Sequence, residues 1–148
     1  MVWRDQAFFR SAKEKYGDVP GIPDMRCFFL QSCLMGMKDV GGSIAECGTR
    51  YGKSSLFLIE AMKHSGIERN MYLFDSFEGL SDPTPNKDSI STAMAADGQS
   101  RLFQVESVED IVNQFDEFPT VHVKQGWIPD RFDEVGDDRF CMIHVDVD

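Results

Sequence analysis

Apolar residues recur at helical spacing near the start of the chain, where Phe8, Phe9, Ala12 and Tyr16 share a stripe and predict a first helix. Gly17 to Pro23 breaks that pattern. Asp24 is placed to cap a second helix running to about Lys38, with Phe28, Phe29, Cys33 and Met37 on one stripe, and Gly41-Gly42 ends the segment. A short segment after it, Ser43-Ile44-Ala45-Glu46-Cys47, is a candidate for the first strand. From there the periods alternate: helix over 53–64, strand over 71–74, helix over 108–115, strand over 121–123 and strand over 140–145. Ser107 with Asp110 resembles a capping box, and Val108, Ile111, Val112 and Phe115 supply the stripe of the helix that follows. Apolar strands separated by helices predict an α/β fold around a parallel sheet.

This pattern divides the chain into a helical lead-in over 1–40 and a sheet-bearing segment over 41–148. The stretch from Ser76 to about Gln104, with Pro83, Pro85 and Gly98, is long for a connection and is a candidate substrate loop, with plain flexibility as the alternative. An apolar strand close to Asp148 would normally lead into a further helix and strand. The segment therefore reads as the N-terminal half of a larger sheet, with an edge and an apolar face left to be covered by another chain.

Composition narrows the partners. Against 15 Lys and Arg stand 25 Asp and Glu, a net charge of −10 over 148 residues, and there is no basic run to reverse the average locally. Such a chain repels phosphate backbones and anionic lipid, so nucleic acid and membrane are poor partners. No apolar run reaches the roughly 20 residues of a membrane span, and Met-Val-Trp-Arg-Asp-Gln is too polar for a signal peptide, which predicts a cytoplasmic location. Cys27, Cys33, Cys47 and Cys141 form no CxxC pair, so neither disulfides nor a cysteine zinc site is expected.

The strongest chemical signal is Glu46-Cys47-Gly48-Thr49-Arg50-Tyr51-Gly52-Lys53-Ser54, directly after a strand and opening a helix. A tight glycine turn there turns backbone N–H groups and a helix N-terminus toward a ligand. It is not GxGxxG, because Arg50 stands where the second glycine belongs, and it is not a P-loop, because Cys47 stands where that motif needs its first glycine. The form E-x-G-x-x-x-G remains, beside the bland reading of a glycine turn used for packing. Asp75, ending Leu73-Phe74-Asp75-Ser76-Phe77-Glu78-Gly79, is placed to accept ribose hydroxyls, or simply to cap its own turn. On consecutive strands the two motifs favour an adenosine-type cofactor. In His144-Val145-Asp146-Val147-Asp148, alternation puts Asp146 and Asp148 on one face, where they suit a hard cation or a general base, or are two solvated acids. His144 is read as a packed histidine. Trp127 either stacks on a flat ring or anchors its turn.

The order of these segments resembles the macrocin O-methyltransferase (TylF-like) family of S-adenosylmethionine-dependent sugar O-methyltransferases. The residues that carry the resemblance are Ala45-Glu46-Cys47-Gly48 with Gly52-Lys53-Ser54-Ser55-Leu56, Tyr72-Leu73-Phe74-Asp75-Ser76-Phe77-Glu78-Gly79-Leu80, Gly126-Trp127-Ile128-Pro129-Asp130 and Ile143-His144-Val145-Asp146-Val147-Asp148. Where the family usually carries Trp-Arg-Gly-Gly, this chain has Arg50-Tyr51-Gly52-Lys53. The resemblance implies a Rossmann-like class I methyltransferase fold, represented by its N-terminal half behind the helical lead-in. It implies a cofactor set of Glu46, Gly48, Thr49, Gly52, Ser54, Asp75, Ser76, Gln125, Gly126 and Trp127, with the methionine end near Glu46, Gly48 and Gly52, the ribose on Asp75 and the adenine by 125–127. Asp146 would be a Mg²⁺ ligand, and Asp148 a second acidic contact or the base that deprotonates an acceptor hydroxyl. A sugar or other small-molecule acceptor and a homo-oligomer complete the expectation. Two alternatives stay open: a nucleotide-sugar glycosyltransferase holding metal and diphosphate through Asp-Val-Asp, and a non-catalytic fragment completed by a partner chain.

Overall fold

The protein is represented by a computed structural model whose described residues are 2–19, 21–81 and 104–147. Strand β1 (Ser43–Cys47) is buried throughout, because both its faces are covered. Its Ile44 joins Met71 and Leu73 in the main core beneath the helices, while Ala45 and Cys47 meet Phe74 on the opposite face. Strands β2 (Met71–Asp75), β3 (Val121–Gln125) and β4 (Phe140–Val145) complete a parallel sheet in the order β3-β2-β1-β4. The chain moves outward from β1 to β2 and β3, then returns to the other side of β1. The reversal leaves a crevice beyond the carboxyl ends of β1 and β4, where α/β sheets bind their ligands.

Helix α3 (Lys53–Ser65) forms the crossover from β1 to β2, and α1 (Ala7–Tyr16) and α2 (Asp24–Gly36) pack against it. Phe9, Cys27 and Phe57 fill the junction, and the buried Gln31 donates to Phe57 O at 2.7 Å. Gly66 closes α3 in the left-handed conformation, and Ile67 N–H returns to Met62 O at 2.9 Å. Helix α4 (Val108–Asn113) begins as expected, with Ser107 Oγ accepting Asp110 N–H at 3.1 Å.

Several expectations change in detail. Helix α2 buries Cys27, Leu30, Gln31 and Leu34, whereas Phe29 is exposed, Phe28 is half-buried and Met37 lies past the helix end. The segment is apolar nearly all round, so contact with α1 and α3, not local spacing, selects its buried face. Pro23 holds the cap position and Asp24 is the first helical residue, its carboxylate taken by Lys13 and Arg4. Helix α4 stops at Asn113, and Phe115 still reaches the core. Residues 82–103, most of the expected substrate loop, lie outside the described residues. The two ends of that stretch meet, since Glu78 bridges Gln104 and Val105 N–H donates to Phe77 O at 3.3 Å. Ile143 and Val145 on β4, an edge of the described sheet, and Val147 just past it are exposed. Among the described residues no helix is long and apolar enough to cross a membrane.

Candidate cofactor-binding site

A cleft of about 530 Å³ opens beyond the carboxyl ends of the strands. Gly48, Thr49, Arg50 and Ser54 supply one wall, Asp75, Ser76 and Gly79 to Ser81 a second, Gly126 to Ile128 a third, and Asp146 and Val147 a fourth. Gly21, Ile22 and Arg26 close it from the lead-in.

The loop after β1 sits against the end of β4. Gly48 has φ +86°, and a Cβ there would overlap the carbonyl oxygen of Asp146. Asp146 N–H in turn donates to Cys47 O at 2.9 Å, so the two strand tips meet through backbone alone. Gly52, at φ +71°, plays a different part: a Cβ there would lie 2.5 Å from Phe115 Cζ. It lets α3 start close against the end of α4 and is not on the cleft wall. The cap residue of α3, Gly52, supplies no side-chain cap to its first N–H groups.

Asp75 is half-buried and holds two backbone groups. Its Oδ2 accepts Arg50 N–H at 2.6 Å and its Oδ1 accepts Phe77 N–H at 2.6 Å. Arg50 and Phe77 are the non-glycine residues with positive φ among those described, at 48° and 61°. The carboxylate therefore fixes two strained turns at the cleft edge while its remaining lone pairs stay available for a ligand.

Glu46 is fully buried behind the cleft. Ser55 Oγ donates to its Oε2, and His144 Nδ1 lies 2.9 Å from Oε1. A buried carboxyl group needs such partners, and these tie β1 to α3 and β4. His144 is thus packed, as its sequence context indicates. Asp146 Oδ1 accepts Arg26 Nη2 at 2.6 Å, across the mouth of the cleft. Thr49 Oγ1, on the cleft wall, is buried without a partner among the described residues.

The model of the macrocin-O-methyltransferase (TylF) family matches residues 22–148. The chain belongs to this family. Among curated proteins none matches the sequence. Among solved structures, the O-methyltransferase NovP superposes with a TM-score of 0.71 at 18% identity, covering 93% of this chain and 62% of NovP. The calicheamicin methyltransferase CalS11 superposes with a TM-score of 0.57 at 14% identity, covering 97% of this chain and 67% of that one. The chain thus spans less than two thirds of NovP's length, and its four-stranded sheet is part of a class I methyltransferase fold.

S-adenosylmethionine is the cofactor that TylF-family membership implies, and the cleft fits it. The buried unpartnered Thr49 hydroxyl and the uncapped N–H groups of α3 call for an acceptor, Asp75 stands at the β2 tip, and Trp127 offers a flat face. Of the expected set, Gly48, Thr49, Ser54, Asp75, Ser76, Gly126, Trp127 and Asp146 line the cleft, whereas Glu46 and Gly52 are buried behind it and Gln125, exposed, is not part of its lining. Asp148 lies outside the described residues. Mg²⁺ keeps several waters and takes one or two carboxylates; among the described residues no group of three His, Cys, Asp or Glu gathers, and Asp146, at the cleft, is engaged by a guanidinium. Sequence reasoning missed Gly21, Ile22 and Arg26, since the Arg26 contact joins residues 120 positions apart with no local signal.

Proposed function

We propose that this chain carries the S-adenosylmethionine site of an O-methyltransferase that alkylates a hydroxyl of a sugar or another small molecule. The observation that supports it most is the cleft at the β1–β4 reversal, walled by Gly48, Thr49, Asp75 and Trp127 and set in a TylF-family sequence. The glycosyltransferase alternative gives no role to the glycine loop after β1.

The bound cofactor supplies an electrophilic methyl group on a sulfonium sulfur. The protein's part is to place that methyl in line with an acceptor oxygen and to remove the hydroxyl proton. Asp75 receives the ribose hydroxyls while fixing the turns at Arg50 and Phe77. Trp127 covers the adenine edge, and the N-terminus of α3 with Thr49 takes the methionine end. Residues 79–81, at the foot of the 82–103 stretch, border the acceptor side. Asp148 is proposed as the base, beside Asp146. A magnesium ion at Asp146 would complete its shell with water or with oxygens from outside the described residues.

Radiolabelled methyl transfer tests the reading. The protein is incubated with methyl-labelled S-adenosylmethionine and two acceptor panels, free and glycosidic sugars against phenols and carboxylic acids. Label in a sugar ether supports the proposal; label only in methyl esters, or none in any hydroxyl compound, overturns it.

A further inference from the structure

Trp127 is exposed on the cleft wall, and the residues that flank it decide where its ring stands. On one side Ile128 packs on the sheet face that carries Ala45, Cys47 and Phe74, and Phe132 meets the Phe74 ring edge-on at 5.2 Å. These contacts set how deep the segment lies. On the other side is Gly126, whose N–H donates to Asp75 O at 2.9 Å. Gly126 has φ +135°, and a Cβ there would overlap Arg131 Nε, so the guanidinium of Arg131 lies directly over the peptide that leads into Trp127.

Arg131 is itself held in place. Its Nη1 donates to Glu134 Oε1 at 2.9 Å, and Glu134 Oε2 lies 3.3 Å from Lys124 Nζ on β3. The three charges thus tie β3 to the 3-10 turn Phe132–Val135 across the loop that bears Trp127. All three side chains are partly exposed, so the network does little for overall stability in water. Its effect is geometric: it keeps a flat, rigid group pressed on Gly126. Arg131 does not line the cleft, so it acts on a ligand only through its neighbours. Resting on the reading of the cleft as a cofactor site, we infer that Arg131 is a positioning residue. Packed over Gly126 and clamped by Glu134, it fixes the pitch of Trp127 and so the flat wall on which an adenine ring stacks.

The chain has two tryptophans, so Trp3→Phe leaves Trp127 as the sole emitter for the test. In that parent, time-resolved emission anisotropy reads the nanosecond freedom of the Trp127 ring. Arg131→Met and Glu134→Gln each loosen the ring and leave the unfolding temperature nearly unchanged. Arg131→Lys keeps the charge but not the flat group, and falls between. By calorimetry, Arg131→Met binds S-adenosylhomocysteine about fivefold or more weakly, as expected for a disturbed ring stack. A Trp127 as rigid in Arg131→Met as in the parent overturns the inference, and so does unchanged affinity beside a loosened ring. If the parent binds no S-adenosylhomocysteine, the cofactor reading falls and takes the adenine role with it. The anisotropy comparison then still decides the clamp: a looser ring in Arg131→Met upholds it, and an unchanged one removes it.

Discussion

The carboxylate of Asp75 accepts the backbone N–H of Arg50 at 2.6 Å, joining the tip of β2 to the loop that follows β1. With Phe77 N–H on its other oxygen, one side chain organises two walls of the cleft. Asp75→Ala removes both contacts and should cost about 1–3 kcal/mol of stability, as for unsatisfied backbone donors. It should also lower affinity for S-adenosylhomocysteine. Asp75→Asn keeps one acceptor oxygen and should fall between. Denaturant unfolding with parallel calorimetry checks this, and unchanged affinity in Asp75→Ala would sink the ribose assignment.

Gly48 and Gly66 both have left-handed backbone, but only Gly48 faces a neighbour that cannot move aside. A Cβ at Gly66 meets nothing within 4 Å, whereas at Gly48 it overlaps the main chain of Asp146. Gly66→Ala should cost about 1–2 kcal/mol from conformation alone. Gly48→Ala adds the displacement of β4's end, so its cost should be larger and cofactor affinity should fall with it. Equal destabilisation in the two variants would contradict the close approach seen at the strand tips.

The buried Glu46 depends on Ser55 and His144 for its hydrogen bonds. His144→Ala leaves one carboxylate oxygen without that partner and should destabilise the fold by about 1–3 kcal/mol. His144→Gln restores a donor and should recover part of the loss. Urea unfolding of the two variants distinguishes a hydrogen-bonding role from simple packing, which would make the losses alike.

Asp138 clamps the opposite end of the sheet. Hydrogen bonds from Ser43 Oγ at 2.7 Å and Tyr72 Oη at 2.9 Å hold its carboxyl below the usual range. Its unfolded state therefore protonates first as pH falls. The stability it contributes is complete above the ordinary aspartate value of about 4 and is lost as pH drops through the lower folded value. Tyr72 is pushed the other way, by burial first and then by Asp138, so its contribution is lost as pH rises through its raised folded value. Melting curves of Asp138→Asn and the native chain should differ at neutral pH and converge in acid. A constant gap across that range would remove Asp138 as the source.

The strands were legible because short, mainly apolar segments such as Met71–Phe74 and Phe140–Val145 alternate with helical periods. The glycine loop and Asp75 could be found because each is a short motif at a strand end. The buried face of α2 could not be, since both of its stripes are apolar and packing decides between them. Gly52 illustrates another limit: a glycine inside a binding motif turns out to make room for Phe115. Glu46, the acidic residue of the same motif, faces His144 and Ser55 and not the cleft. Arg26 carried no sequence signal, because its partner comes from the far end of the chain.

The most direct test is calorimetric titration of the chain with S-adenosylhomocysteine, with UDP as the control and each run repeated with Mg²⁺. The account predicts one S-adenosylhomocysteine per chain, bound without added metal through a cleft that Asp75→Ala weakens, and no heat from UDP. Silence toward S-adenosylhomocysteine together with metal-dependent UDP binding would contradict it and turn the Asp-Val-Asp segment into a diphosphate site.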